Sequence, residues 1–135
     1  MPYEYNATVT EVVDGDTIVI DIDLGFDVVF TAQKVRLLGV DTPESRTINL
    51  KEKALGLEVK EKLKKELAAA KDVVIKTEKP DSSEKYGRIL GWVFLDGSDV
   101  SLNQKLINEG YAWTYGGGTK IKDFNELVTK RQVSA

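Results

Sequence analysis

Hydrophobic and polar positions alternate over the first third of the chain. Tyr5, Ala7 and Val9 interleave with Asn6, Thr8 and Thr10, and Ile18, Ile20, Ile22 and Leu24 interleave with Val19, Asp21 and Asp23. A period of two marks strands with one inward face. Leu24-Gly25-Phe26-Asp27 reads as a hairpin connection, after which Val28, Phe30 and Ala32 restart the alternation. The parity blurs over 33–38, which predicts a bulge or strong bend there. Three strands joined by short turns predict a meander.

The period then changes. "NLKEKALGLEVKEKLKKELAAA" opens on Asn49 with Glu52 three residues on, the pairing of a helix N-cap, and Val59, Leu63, Leu67 and Ala70 share one helical face. Gly56 weakens the first turns and places the ordered start nearer Ala54. The lysines from Lys51 to Lys65 are interleaved with Glu52, Glu58, Glu61 and Glu66, the pattern of a solvated face laced with ion pairs. "DVVIKTEK" and "RILGWVFL" predict two more strands, joined by a polar loop holding Pro80 to Tyr86, and Asp96-Gly97 predicts a turn. "VSLNQKLINEG" predicts a compact helix, capped by Ser101 with Gln104 and stopped by Gly110. A short helix is expected over 120–131.

Five β-segments with a helix between the third and fourth is the chain order of an OB-fold. The expected class is α+β, mainly β: a five-stranded Greek-key barrel with two to three helices. No repeat or second hydrophobic pattern interrupts it, so 1–135 is expected to be a single domain, its tail over 116–135 weakly defined. Such barrels carry binding modules as well as enzymes, so the fold leaves the activity open.

Composition narrows the chemistry. The chain has 135 residues, 41% hydrophobic and 30% charged, enough to bury a core. Its net charge of -3 argues against a uniformly basic wrapper of nucleic acid, although a local cationic cleft or a bound cation reverses the field at one site. It contains no cysteine and no histidine. Thiolate chemistry, sulfur-ligated zinc and histidine-based triads are thereby excluded. Catalysis near neutral pH would fall to carboxylates, lysine, arginine, tyrosine or a metal on oxygen ligands. The opening "MPYEYNATVT" has no basic stretch followed by an apolar run, so no signal peptide is expected in this chain. Localisation stays open between a processed secreted form and a cytoplasmic or mobile-element protein. No segment reaches membrane-spanning length.

Three segments concentrate the candidate chemistry: "VVDGDTIVI" with Asp14 and Asp16, "VRLLGVDTPES" with Arg36, Asp41, Thr42 and Glu44, and "EKYGRILGWVF" with Lys85, Tyr86 and Arg88. Asp14-Gly15-Asp16 does not begin an EF-hand, since the fifth position is Ile18 and the twelfth Gly25. Taken singly, each segment is an ordinary turn. Together they hold what phosphodiester cleavage without histidine requires: hard oxygen ligands for a cation, a carboxylate for water, and guanidinium groups for the phosphate.

In this order, these segments closely resemble the staphylococcal nuclease family, with "LNQKLINEGYAW" extending the likeness over residues 5 to 115. The resemblance implies an OB-fold enzyme that cleaves DNA and RNA with Ca2+, without preference for the sugar, and leaves 3′-phosphate ends. It implies Asp16 and Asp41 as carboxylate metal ligands and Thr42 as a carbonyl ligand. Glu44 would act on the attacking water, and Arg36 and Arg88 on the scissile phosphate. Lys85 and Tyr86 would lie beside the phosphate, Tyr115 or Trp113 would stack on a base or belong to the core, and Asp14 would stand behind the ligands. The protein would act as a monomer on single-stranded or flexible nucleic acid. Two departures follow from the same comparison: the stretch after Glu44 has few lysines, and the tail after "GGG" is short, so its last helix is expected to be truncated or loosely docked. The alternative function is a non-catalytic OB-fold module that binds nucleic acid or protein.

Overall fold

The first alternating run forms β1 (Tyr3–Asp14), half-buried at odd positions from Tyr3 to Val9 and exposed at even ones. The structure is a computed structural model that describes residues 3–43, 45, 48–77, 88–114 and 124–134, with the side chains of 124, 125 and 132–134 excepted. β2 (Thr17–Gly25) and β3 (Val28–Leu37) complete the meander; β4 (Val40–Asp41), α1 (Leu50–Ala69), β5 (Val73–Thr77) and β6 (Ile89–Leu95) follow. The order ends with α2 (Leu102–Asn108), β7 (Trp113–Thr114) and α3 (Phe124–Ser134). β1-β2-β3-β6-β5 close a barrel, and β4 and β7 form a separate two-stranded ribbon. β3 and β6 run parallel, whereas every other barrel pair is antiparallel. This is the expected α+β barrel of the OB type.

Ile18, Ile20, Val35, Leu37, Ile75 and Val93 fill the barrel, and Val59, Leu63 and Leu67 of α1 pack against them with Leu102 and Leu106 of α2. The residues predicted to face inward along β2 do so up to Ile22. Leu24, Val28, Phe30 and Ala32 are instead exposed, because the β1–β2 pairing begins at Asn6↔Asp23 and β6 joins β3 only from Val35. The hairpin therefore projects past the barrel rim. Its turn residues Phe26 and Asp27 have φ of 56° and 61°, as a two-residue hairpin turn of type I′ requires.

The expected bend also lies slightly earlier. Ile20 pairs with Gln33 and Ile22 with Phe30, so β3 carries one extra residue at Thr31-Ala32 rather than within 33–38. Ala32 adopts φ 56°, and the Asp21 carboxylate accepts its N–H at 2.9 Å. A left-handed residue with a side-chain acceptor is what such a bulge needs.

α1 starts at Leu50, not near Ala54. The Asn49 side chain accepts the Glu52 N–H at 3.1 Å, and Gly56 lies on the buried face with Leu55 and Val59. Capping and burial outweigh the propensity cost of about 1 kcal/mol that a helical glycine carries. Ala70, placed by periodicity on the apolar face, is the extended C-cap. The lysine–glutamate pattern forms ion pairs, among them Lys62–Glu66 at 3.0 Å and Lys62–Glu109 at 2.9 Å.

α2 is capped as predicted, with the Ser101 hydroxyl accepting the Gln104 N–H at 3.0 Å. Its buried Asn103 donates to the carbonyls of Leu38 (2.8 Å) and Gly91 (3.1 Å) and accepts from the Val93 N–H (3.0 Å). One amide thus ties the helix to β6 and to the turn before β4.

The last helix, α3, is docked rather than loose. α3 buries Leu127 completely and passes so close to Gly110 that a Cβ there would lie 2.7 Å from the Leu127 carbonyl oxygen and 2.6 Å from the Lys130 Cβ. Arg131 donates Nε to the Gly110 carbonyl at 2.8 Å, pairs with Glu58, and lies 4.4 Å from the centre of the Tyr111 ring. Residues 120–123 of the predicted helix lie outside the described residues.

Candidate active site

One cavity of about 380 Å³ opens at the end of the barrel where β1 turns into β2. It is lined by Val13, Asp14, Asp16, Thr17, Lys34, Asp41, Thr42 and Arg88. The residues come from three separated stretches, and local structure explains how each arrives.

The β1–β2 turn brings the first carboxylates. Asp14 accepts its neighbour Gly15 N–H at 2.9 Å and the Ser45 hydroxyl at 2.8 Å, so one carboxylate closes the turn and holds Ser45 against it. Gly15 is required for that approach: a Cβ would lie 2.8 Å from Val59 Cγ1 and 2.9 Å from Thr42 Oγ1. Asp16 then starts the ascent into β2. Thr17 donates its hydroxyl to Asp16 Oδ1 at 2.9 Å, and Arg88 Nη1 donates to the same hydroxyl at 3.3 Å. Thr17 thereby links an arginine of one segment to a carboxylate of another.

β3 and β4 bring the second set. Arg36 pairs across the sheet with Thr17, places Nη2 3.6 Å from Asp16 Oδ2, and donates Nη1 to the Leu37 carbonyl at 2.7 Å. Asp41 and buried Thr42 follow on β4 and just after it, held by the Asp41↔Trp113 pairing with β7. Burial raises the Asp16 pKa above 3.8; the Arg36 charge and the Thr17 hydrogen bond oppose the rise, and the Asp14 charge adds to it. A buried carboxylate beside another carries this electrostatic strain unless a cation relieves it.

Of the residues singled out from sequence, Asp14, Asp16, Asp41, Thr42 and Arg88 line the cavity, and Arg36 reaches it through Asp16. Glu44, Lys85, Tyr86 and Tyr115 lie outside the described residues. Trp113 is buried, which makes it a core residue and not a stacking platform. Thr17, Lys34 and Ser45 were not picked out from sequence. Thr17 follows Asp16 directly, and Lys34 precedes Arg36 by two, the strand spacing for a shared face; these were the available signals. Among the described residues no group of three acidic side chains is gathered as a ready metal cluster.

Residues 34–133 match the family described as staphylococcal nuclease homologue. The chain is similar to a thermonuclease of Staphylococcus intermedius, 39% identical over 77% of this chain and 56% of that protein. It is also similar to the endonuclease YncB of Bacillus subtilis, at 35% over 87% of this chain and 53% of the relative. An uncharacterized protein of Methanocaldococcus jannaschii is 30% identical over 88% of this chain and 63% of its own length. The chain thus spans between half and two thirds of these relatives.

Proposed function

The chain belongs to the staphylococcal nuclease family, and from that we propose that it is a Ca2+-dependent nuclease, hydrolysing DNA and RNA without sugar preference to 3′-phosphate products. The observation that carries this proposal is the meeting, in one cavity, of Asp16 and Asp41 with Arg88, and of Arg36 with Asp16.

The donor set suits a hard divalent cation. Asp16 and Asp41 offer carboxylates and Thr42 a backbone carbonyl, and water completes the shell that calcium prefers. Calcium held there would supply positive charge to the site and would lower the cost of two neighbouring carboxylates. Arg36 and Arg88 hold the scissile phosphate with planar, permanently charged forks and match the charge that grows on its equatorial oxygens. Asp16 and Thr17 orient those forks, since Arg36 pairs with the former and Arg88 with the latter. Glu44 takes the proton of the attacking water, whose oxygen bonds to phosphorus as the P–O5′ bond breaks; the departing 5′ oxygen takes up a proton from solvent, and the phosphate stays on the 3′ end. Asp14 does not ligate; it accepts the Ser45 hydroxyl and so holds Ser45 against the turn.

The test is hydrolysis of single-stranded DNA and of RNA in added calcium, for wild type, Glu44→Gln and Arg88→Ala. Wild type should degrade both and stop in excess EGTA, and each variant should lose two or more orders of magnitude with folding intact. Equal rates in EGTA would overturn the metal assignment. Binding of nucleic acid by wild type without hydrolysis would make the chain a non-catalytic module instead.

A further inference from the structure

Lys34 stands at the cavity with no part in the chemistry above. Val35 and Leu37 point into the barrel and are fully buried, so the alternation of β3 turns Lys34 and Arg36 to the same outer side. Two residues along a strand advance about 6.7 Å, a step comparable to that between consecutive phosphates of an extended single strand. The parallel β3–β6 register begins at Val35↔Ile89, so Lys34 and Arg88 are the residues just preceding that first pair on each strand. Both line the cavity that Asp16, Asp41 and Thr42 line. The Lys34 side chain is exposed and has no ion-pair partner among the described residues, whereas Arg36 is engaged by Asp16 and Arg88 by Thr17.

From this placement we propose that Lys34 is a substrate-binding residue that takes the phosphate next to the scissile one, so that the site is built for a polynucleotide chain and not for a lone diester. The proposal rests on the nuclease reading and deepens it. A compact ammonium on a flexible stem suits a neighbouring phosphate, which must be held electrostatically but need not be aligned for reaction. The demand is real for this chain: with a net charge of -3 it repels a polyanion at long range, and cations concentrated at one cleft must reverse the field. Phosphate contacts carry no base information, so the subsite fixes strand position without selecting sequence.

The test compares two substrates in calcium: a short single-stranded oligodeoxynucleotide, and a nucleoside 5′-nitrophenyl phosphate, which has one phosphodiester only. Lys34→Ala should raise KM for the oligonucleotide about three- to tenfold at low salt and leave kcat within about twofold. Hydrolysis of the single diester should be unchanged. The slope of log kcat/KM against log salt for the oligonucleotide should become shallower by about 0.7, the loss of one phosphate contact on a single strand. Lys34→Arg should restore the slope. An unchanged slope and KM in Lys34→Ala would overturn the proposal, and so would an equal loss on both substrates, which would put Lys34 on the scissile phosphate. Hydrolysis of neither substrate by wild type would overturn the nuclease reading and this proposal with it.

Discussion

Replacing Arg131 with alanine should loosen α3 from α1 and from the Gly110-Tyr111 segment after α2. The guanidinium contributes three contacts at once. Its Nε bond to the Gly110 carbonyl, at 2.8 Å, is charge-assisted and contributes about 1.5–3 kcal/mol. Stacking 4.4 Å from the Tyr111 centroid adds about 0.5–1 kcal/mol. The pair with Glu58 adds about 0.2–1 kcal/mol, because the Glu58 side chain is 57% exposed and screened. Nη2 is buried without a hydrogen-bond partner among the described residues, which offsets part of the gain. Since one side chain makes all three contacts they do not add independently, and the expected loss is about 2–4 kcal/mol. For a chain of this size that is a fall of about 6–20 °C in Tm. Thermal unfolding followed by circular dichroism measures it, with urea unfolding to show that the m-value holds. Arg131→Lys should recover less than half, since lysine keeps the charge but loses the planar stack. A loss below about 1 kcal/mol for the alanine variant, or a lysine variant equal to wild type, would refute this account of how the tail is held.

Other positions give independent checks. Gly15→Ala should lower Tm by several degrees: the added Cβ meets Val59 Cγ1 at 2.8 Å, and overpacking of about 1–3 kcal/mol exceeds the entropic gain of about 0.4–1 kcal/mol from removing a glycine. A Tm equal to or above wild type would show that α1 shifts freely. Glu66→Gln should cost about 1 kcal/mol at neutral pH. Burial alone would raise the Glu66 pKa, but the hydrogen bonds and charges of Lys105 and Lys62 outweigh it and hold the carboxyl below 4.5. A depressed acid contributes stability above its unfolded pKa and loses it as pH falls through the folded one, so wild type and variant should converge in acid. A gap that persists once the carboxyl is protonated in both states would place the effect elsewhere. Calcium at about 100 times its Kd should stabilise wild type by about 2.7 kcal/mol and Asp41→Asn by much less, read as a Tm shift against EGTA. An equal shift in both would remove Asp41 from the proposed ligands.

The strand alternation of Tyr5 to Val9 and Ile18 to Ile22, and the caps Asn49–Glu52 and Ser101–Gln104, were legible because each depends on residues near one another in sequence. Leu24 and Phe30 were not: their pattern is that of a buried strand, but only the length of the neighbouring strands decides where the barrel stops. Gly56 misled in the same way, since propensity cannot show that a helix position is buried. Asn103 and Arg131 gave no local signal, because their partners lie 10 to 73 residues away. In the site, Asp16, Asp41 and Arg88 stood out by their types and order, whereas the Thr17 hydroxyl between Arg88 and Asp16 is visible only once β2 and β6 have both joined β3.

The parallel pairing of β3 with β6 has a kinetic consequence. Arg36 and Arg88 are separated by 52 positions (88 − 36), and no hairpin can join parallel neighbours, so their meeting waits on the docking of β6 against β3 across a long connection. Under the proposed function, refolding should therefore regain secondary structure before it regains hydrolysis. A chain paused with its meander formed and its barrel open would already own the β1–β2 turn and its carboxylates, yet lack the second guanidinium. For the proposed nuclease, the paired guanidinium groups would therefore be complete only when the barrel shuts.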